Sequence, residues 1–194
     1  MKKLLVIACV FVASLSYAQD LKFGVKGGLN LSNLVGDDVE DVDMKAGLYF
    51  GGFLTVPLND DLSFQPELIY SRQGWKEEVV MLGSTNGDVK FKTSYLNIPL
   101  LLRMGLGSSD KVYIYAGPQI GFLLKAEAEY DDNDADVKDL FDTVDFSLNL
   151  GFSFVVSDNM SLDVRYNRGM SKIIDEGNIK AYNSVIQLGA SYSF

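Results

Sequence analysis

Apolar side chains in this sequence return at every second position, not at the three-or-four spacing of a helix. Leu21, Phe23, Val25, Leu29 and Leu31 alternate with Lys22, Gly24, Lys26, Gly28 and Asn30. The same rhythm runs through Leu48 to Val56, Leu62 to Tyr70, Leu96 to Met104 and Val112 to Leu124. It returns in Val144 to Val156, Met160 to Tyr166 and Ile186 to Phe194. Side chains of a strand point alternately to its two faces, so this pattern predicts eight β-strands and no helix.

The joins between strands sort by length. Asn59-Asp60-Asp61 and Ser157-Asp158-Asn159 are three-residue hairpin loops, and Gly105 to Asp110 is only slightly longer. The other connections are long: Val35 to Lys45, Lys76 to Asp88, Glu127 to Asp142 and Met170 to Lys180. Short and long joins alternate, which puts every short turn at one end together with both termini. That is the plan of an eight-stranded antiparallel up-and-down transmembrane β-barrel with short periplasmic turns and long external loops. A soluble, lipocalin-like lipid-binding barrel would carry its apolar face inward instead. The apolar face is wide on all eight strands, and an eight-stranded interior has little room for so many bulky groups. Lipid is therefore expected outside.

Parity then assigns the faces. Lys22, Lys26, Glu67, Arg103, Asp163 and Arg165 fall in the lumen, with Asp145, Lys125 and Glu127 towards the loop end. Tyr49, Phe53, Tyr95, Tyr113 and Tyr115 join them. Such side chains fill an eight-stranded barrel and predict no open channel. Lumen charges must be paired, so Glu67 is expected with Arg103, and Asp163 with Arg165 or a neighbouring lysine. Counting across the join between the fourth and fifth strands sets Tyr95 opposite Gly121 and Asn97 opposite Gln119. Outside, aromatics form two belts. Phe64, Phe152, Tyr192 and Phe194 belong to the short-turn end, and Tyr70, Phe122, Phe146 and Tyr182 to the other. Trp75 is expected at the upper membrane boundary, which indole rings favour.

Composition narrows the chemistry. The 194 residues are 47% hydrophobic and contain no His and a single Cys, Cys9. Histidine-dependent triads, thiol nucleophiles and His or Cys metal centres are thereby excluded, and no enzyme activity or cofactor is expected. Lys2 and Lys3, the apolar run Leu4 to Ala13 and the small residues around Tyr17 form a secretory signal over 1–18, leaving residues 19–194 as the barrel domain. Without it the chain has 15 basic against 26 acidic residues, a net charge of −11 that repels nucleic acid.

Several stretches resemble the PorT-like, porin-like outer-membrane β-barrel family of Gram-negative bacteria. They are FQPELIYSRQG (64–74), YLNIPLLLRMG (95–105), YAGPQIGFLLKAE (115–127), FDTVDFSLNLGFSF (141–154) and VRYNRGMSKI (164–173). IPLLLR and AGPQIGFLL are the most specific, and the resemblance runs in order along the mature chain. It implies an eight-stranded barrel in the outer membrane. Pro66, Pro99 and Pro118 fall mid-strand, where bulges or register changes are expected. The terminal Phe194, with Tyr192 alternating before it, resembles the end signal that such barrels present to the barrel-assembly machinery.

The remaining motifs add little. Asp132-Asn133-Asp134-Ala135-Asp136 opens like a calcium loop, but Val137 replaces its Gly and Thr143 its closing Glu, so hydrated loops are expected there. Gly105 to Lys111 is glycine-rich but lacks a Gly before the Lys, and is no phosphate loop. The expected function is a structural or interaction role in the outer membrane. Lipid and a protein partner at the acidic external loops would be its contacts, with a narrow pore as the alternative.

Overall fold

The computed structural model of the chain describes residues 21–37, 39, 42–81, 84–107, 111–130, 133–173 and 180–194, with only the backbone for 78–81 and 84–88. The signal segment 1–18 and Cys9 lie outside the described residues. The described residues form nine strands: β1 (Lys22–Val35), β2 (Val42–Pro57), β3 (Leu62–Met81), β4 (Ser84–Gly105), β5 (Val112–Tyr130), β6 (Asn133–Asp136), β7 (Val144–Val155), β8 (Met160–Gly169) and β9 (Tyr182–Ser193). Neighbours pair antiparallel, β1 pairs with β9 and β4 with β5, and eight strands close into a barrel. The short β6 adds only to the upper end of β5. Closure leaves no edge along the ring, which is what a strand needs to cross hydrocarbon.

The joins that follow β2, β4 and β7 lie at the end that holds Lys22 and Phe194. Asn59 shapes one of them, its side-chain oxygen accepting from the amides of Asp61 (3.1 Å) and Leu62 (2.8 Å). At the other end the structure differs from the expected loops. Lys76 to Asp88 is not a long loop: β3 runs to Met81 and β4 starts at Ser84, so the two strands pair far above the membrane band. Their 20 and 22 residues are about twice the 9–11 needed to span the hydrocarbon. In outer-membrane barrels the end with the longer connections is the external one. Asn133–Asp136, read as loop, is a paired strand.

Alternation survives almost throughout. Phe50 is 62% and Phe194 75% exposed on the outer wall, while Lys26, Glu67 and Arg165 are buried inside it. The pairing keeps its register past Pro66, Pro99 and Pro118. Register shifts fall elsewhere, between Met44 and Tyr49, between Ser94 and Tyr95, and between Val79 and Met81.

Candidate functional site

The interior is the part of this molecule where polar chemistry is concentrated. β3 and β8 stand four strands apart in either direction round the ring, so their inward residues face one another across the full diameter. Glu67 on β3 reaches Arg165 on β8. Arg165 Nη1 donates to Glu67 Oε2 and Nη2 to Oε1, both at 2.8 Å. Lys26 on β1 donates to the same carboxylate at 3.1 Å, and Gln65 adds a fourth hydrogen bond at 2.8 Å. Three of these bonds reach Oε1 and one reaches Oε2, so both oxygens of a fully buried carboxylate are hydrogen-bonded and its charge is paired, which is the condition for a charge to survive there. Asp163 stands 4.0 Å from the Lys26 ammonium.

Aromatic side chains pack round this centre. Lys26 lies over the rings of Phe53 and Tyr115, and Arg165 lies 5.0 Å from the Tyr115 centroid. Glycine on the neighbouring strand makes room for one of these rings. A Cβ on Gly151 would stand 2.6 Å from the Tyr115 ring and 2.6 Å from the Val164 carbonyl. Above the centre, Asn167, Ser147, Asn149 and Gln119 form a hydrogen-bonded chain. Higher still, Asn183 donates to Asp145 (2.9 Å) and to the Tyr95 hydroxyl (3.4 Å), again from β9 to the opposite strand β4. Ser171 holds the other oxygen of Asp145 at 2.8 Å.

An apolar cap closes the upper lumen. Leu34, Trp75, Leu123, Ala126, Phe141, Ile173 and Ala181 form one buried cluster. Trp75 stacks on Phe91 with centroids 4.7 Å apart and donates its indole N–H to Glu77 at 2.7 Å. This corrects the expected interfacial position: Trp75 is inside, because it shares the inward parity of Glu67, Ile69, Ser71 and Gln73 on β3.

Other expected residues fall differently. Arg103 does not meet Glu67; its guanidinium stacks on Tyr113 at 3.7 Å, a level nearer the short turns. Asp163 takes the lysine alternative, standing 4.0 Å from Lys26, and has no ion pair with Arg165 among the described residues. Lys22 is exposed at the rim and joins no lumen network among the described residues. Tyr95 pairs with Leu123 and Asn97 with Gly121, two positions from the expected register, because the turn below pairs Gly105 with Tyr113. Lys125 and Glu127 face outward, since Leu124 forms a bulge that reverses parity above it. Of the belt residues, Phe122, Phe146, Phe152, Tyr192 and Phe194 are exposed on the outer wall. Phe64, Tyr70 and Tyr182 are half-buried there, Tyr70 against Phe50 and Tyr182 under Arg168. Among the described residues no group of three or more His, Cys, Asp or Glu side chains is gathered to hold a metal ion.

The family model described as outer membrane protein beta-barrel domain matches residues 17–175. The chain belongs to that family. Its fold is shared by Neisserial surface protein A (14% identity, TM-score 0.59), over 91% of this chain and 100% of that one. It is also shared by Ail, the attachment invasion locus protein of Yersinia pestis (16% identity, TM-score 0.51), with the same coverage. No curated protein matches the sequence. The protein is an outer-membrane β-barrel, and its apolar outer wall sits in lipid. A lipocalin-like reading would need the inverse arrangement, with Leu100 inside and Glu67 outside.

Proposed function

We propose that this barrel is a non-enzymatic, non-conducting outer-membrane protein, braced internally and acting through the surface of its extended outer end. The observation that carries the reading is the Glu67–Arg165 strut, which occupies the barrel diameter with Lys26, Tyr115 and Phe53 packed about it. Ions would have to displace a salt bridge with several hydrogen bonds, and would then meet the Trp75 cap. The absence of histidine and the engagement of Glu67 by Lys26, Gln65 and Arg165 support a structural rather than catalytic use of these charges. The stretches quoted above support, in our reading, a kinship with the PorT-like barrels, with Tyr192 on β9 and Phe194 just beyond it engaging the assembly machinery.

Planar-bilayer recording tests this. Purified protein should give no reproducible unit conductance. Discrete steps that change in size with Arg103→Ala would establish the pore reading instead.

A further inference from the structure

The outer wall of the upper barrel carries a cluster of cations that the lumen does not use. Arg72 on β3, Ser94 on β4 and Lys125 on β5 are register partners, so they form one row across three strands. Lys125 reaches this row only because the bulge at Leu124 turns it outward. Together with Lys45 and Lys92 they line a groove of about 490 Å³, whose floor includes Leu48 and Tyr70. Four cations and one carboxylate, Glu127, face this groove, although the whole chain carries a net charge of −9.

Its lower edge is apolar: Leu48, Phe50 and Leu124 project into the lipid band just beneath. Lys92 and Lys125 have carboxylate partners in Glu129, Asp134 and Glu127. Among the described residues, no carboxylate lies within 4.0 Å of Arg72 or Lys45. Burial, and then the neighbouring charges of Lys92 and Arg72, push the Lys45 ammonium below its usual range, with Glu129 opposing them only in part. The Tyr70 hydroxyl donates to Ser94 Oγ at 3.3 Å, which frees the serine proton for an acceptor in the groove.

We propose that this groove binds the phosphomonoester headgroup of an anionic outer-leaflet lipid, with Arg72, Lys45 and Ser94 holding the phosphate and Leu48 and Phe50 the adjoining acyl chains. A soluble anion would satisfy the cations but not the apolar edge; an uncharged lipid would do the reverse. Only an anionic lipid meets both, at the height where its headgroup resides.

The test uses protein in phosphatidylcholine nanodiscs doped with a minority of lipid A, released and weighed by native mass spectrometry. Wild type should retain lipid A in preference to phosphatidylcholine, and should lose that preference for dephosphorylated lipid A. Lys45→Gln with Arg72→Gln should weaken retention by roughly fivefold per cation removed, and Lys111→Gln at the opposite end should not. Unchanged retention in the folded double variant, or equal retention of dephosphorylated lipid A, would overturn the proposal. Complete displacement by inorganic phosphate would overturn the lipid assignment, because a free anion would then suffice.

Discussion

Glu67 and Arg165 lie 98 residues apart in sequence and join opposite walls of the barrel through two hydrogen bonds of 2.8 Å. A closed sheet has stiffness along its strands but can flatten across its diameter. The strut and the higher Asn183–Tyr95 contact oppose that flattening at two levels. Neither could form in a sheet that failed to close, so both report on β1–β9 pairing as well as on local packing.

Removing one member of the strut should cost far more than the pair contributes. Glu67→Ala strands Arg165 and Lys26 in the interior, and breaking such a buried pair costs about 3–5 kcal/mol. Urea unfolding in lipid vesicles, followed by heat-modifiable gel migration, measures the loss. Arg103→Ala should cost less, since it removes a stacking contact worth about 0.5–2 kcal/mol and leaves Asp163 its Lys26 partner.

Gly151→Ala tests whether ring-over-glycine packing fixes the lumen. The new methyl would press on both the Tyr115 ring and the Val164 carbonyl, and backbone cannot swing aside as a side chain can. Overpacking of this kind costs about 1–3 kcal/mol. A melting temperature equal to wild type would show that the ring has room to move.

Much of this was readable from alternation, because reversing the solvent leaves a strand's parity untouched. Lys26, Glu67, Asp163 and Arg165 all point inward on that basis. Trp75 shares this inward parity, and strict alternation places it in the cap, whereas the preference of indole for interfaces points to the outer wall. The partner of Glu67 was also within reach, since in a ring of eight the third barrel strand faces the seventh, which carries Arg165. The bulge at Leu124 was not. One extra residue is selected by pairing between β4 and β5 and leaves no mark in the composition of either strand, so parity alone puts Lys125 and Glu127 on the wrong face.

The single tryptophan of the chain gives a direct optical check on the cap. Trp75 is 2% exposed and separated from lipid by the barrel wall. Its fluorescence should resist both iodide and brominated acyl chains, whereas an interfacial indole would be quenched by brominated lipid. Trp75→Ala should destabilise the protein by about 3–5 kcal/mol.

Acid should loosen the outer extension of β4 and β5 late, and Glu129 explains why. Hydrogen bonds from Lys92 and Lys90 hold its carboxyl at a pKa of about 2, well below the ordinary range. A carboxylate whose pKa is lower folded than unfolded stabilises the fold at every pH above its unfolded value. That contribution falls as pH drops below the unfolded value of about 4.3 and is lost once pH passes through the folded one. Carbon-13 NMR of the Glu129 side-chain carboxyl should therefore titrate near pH 2, and Lys92→Gln should move the midpoint upward. A midpoint near 4 in the wild-type protein would show that the Lys90–Glu129–Lys92 cluster does not persist in solution, and with it that the strand extension is held by backbone pairing alone.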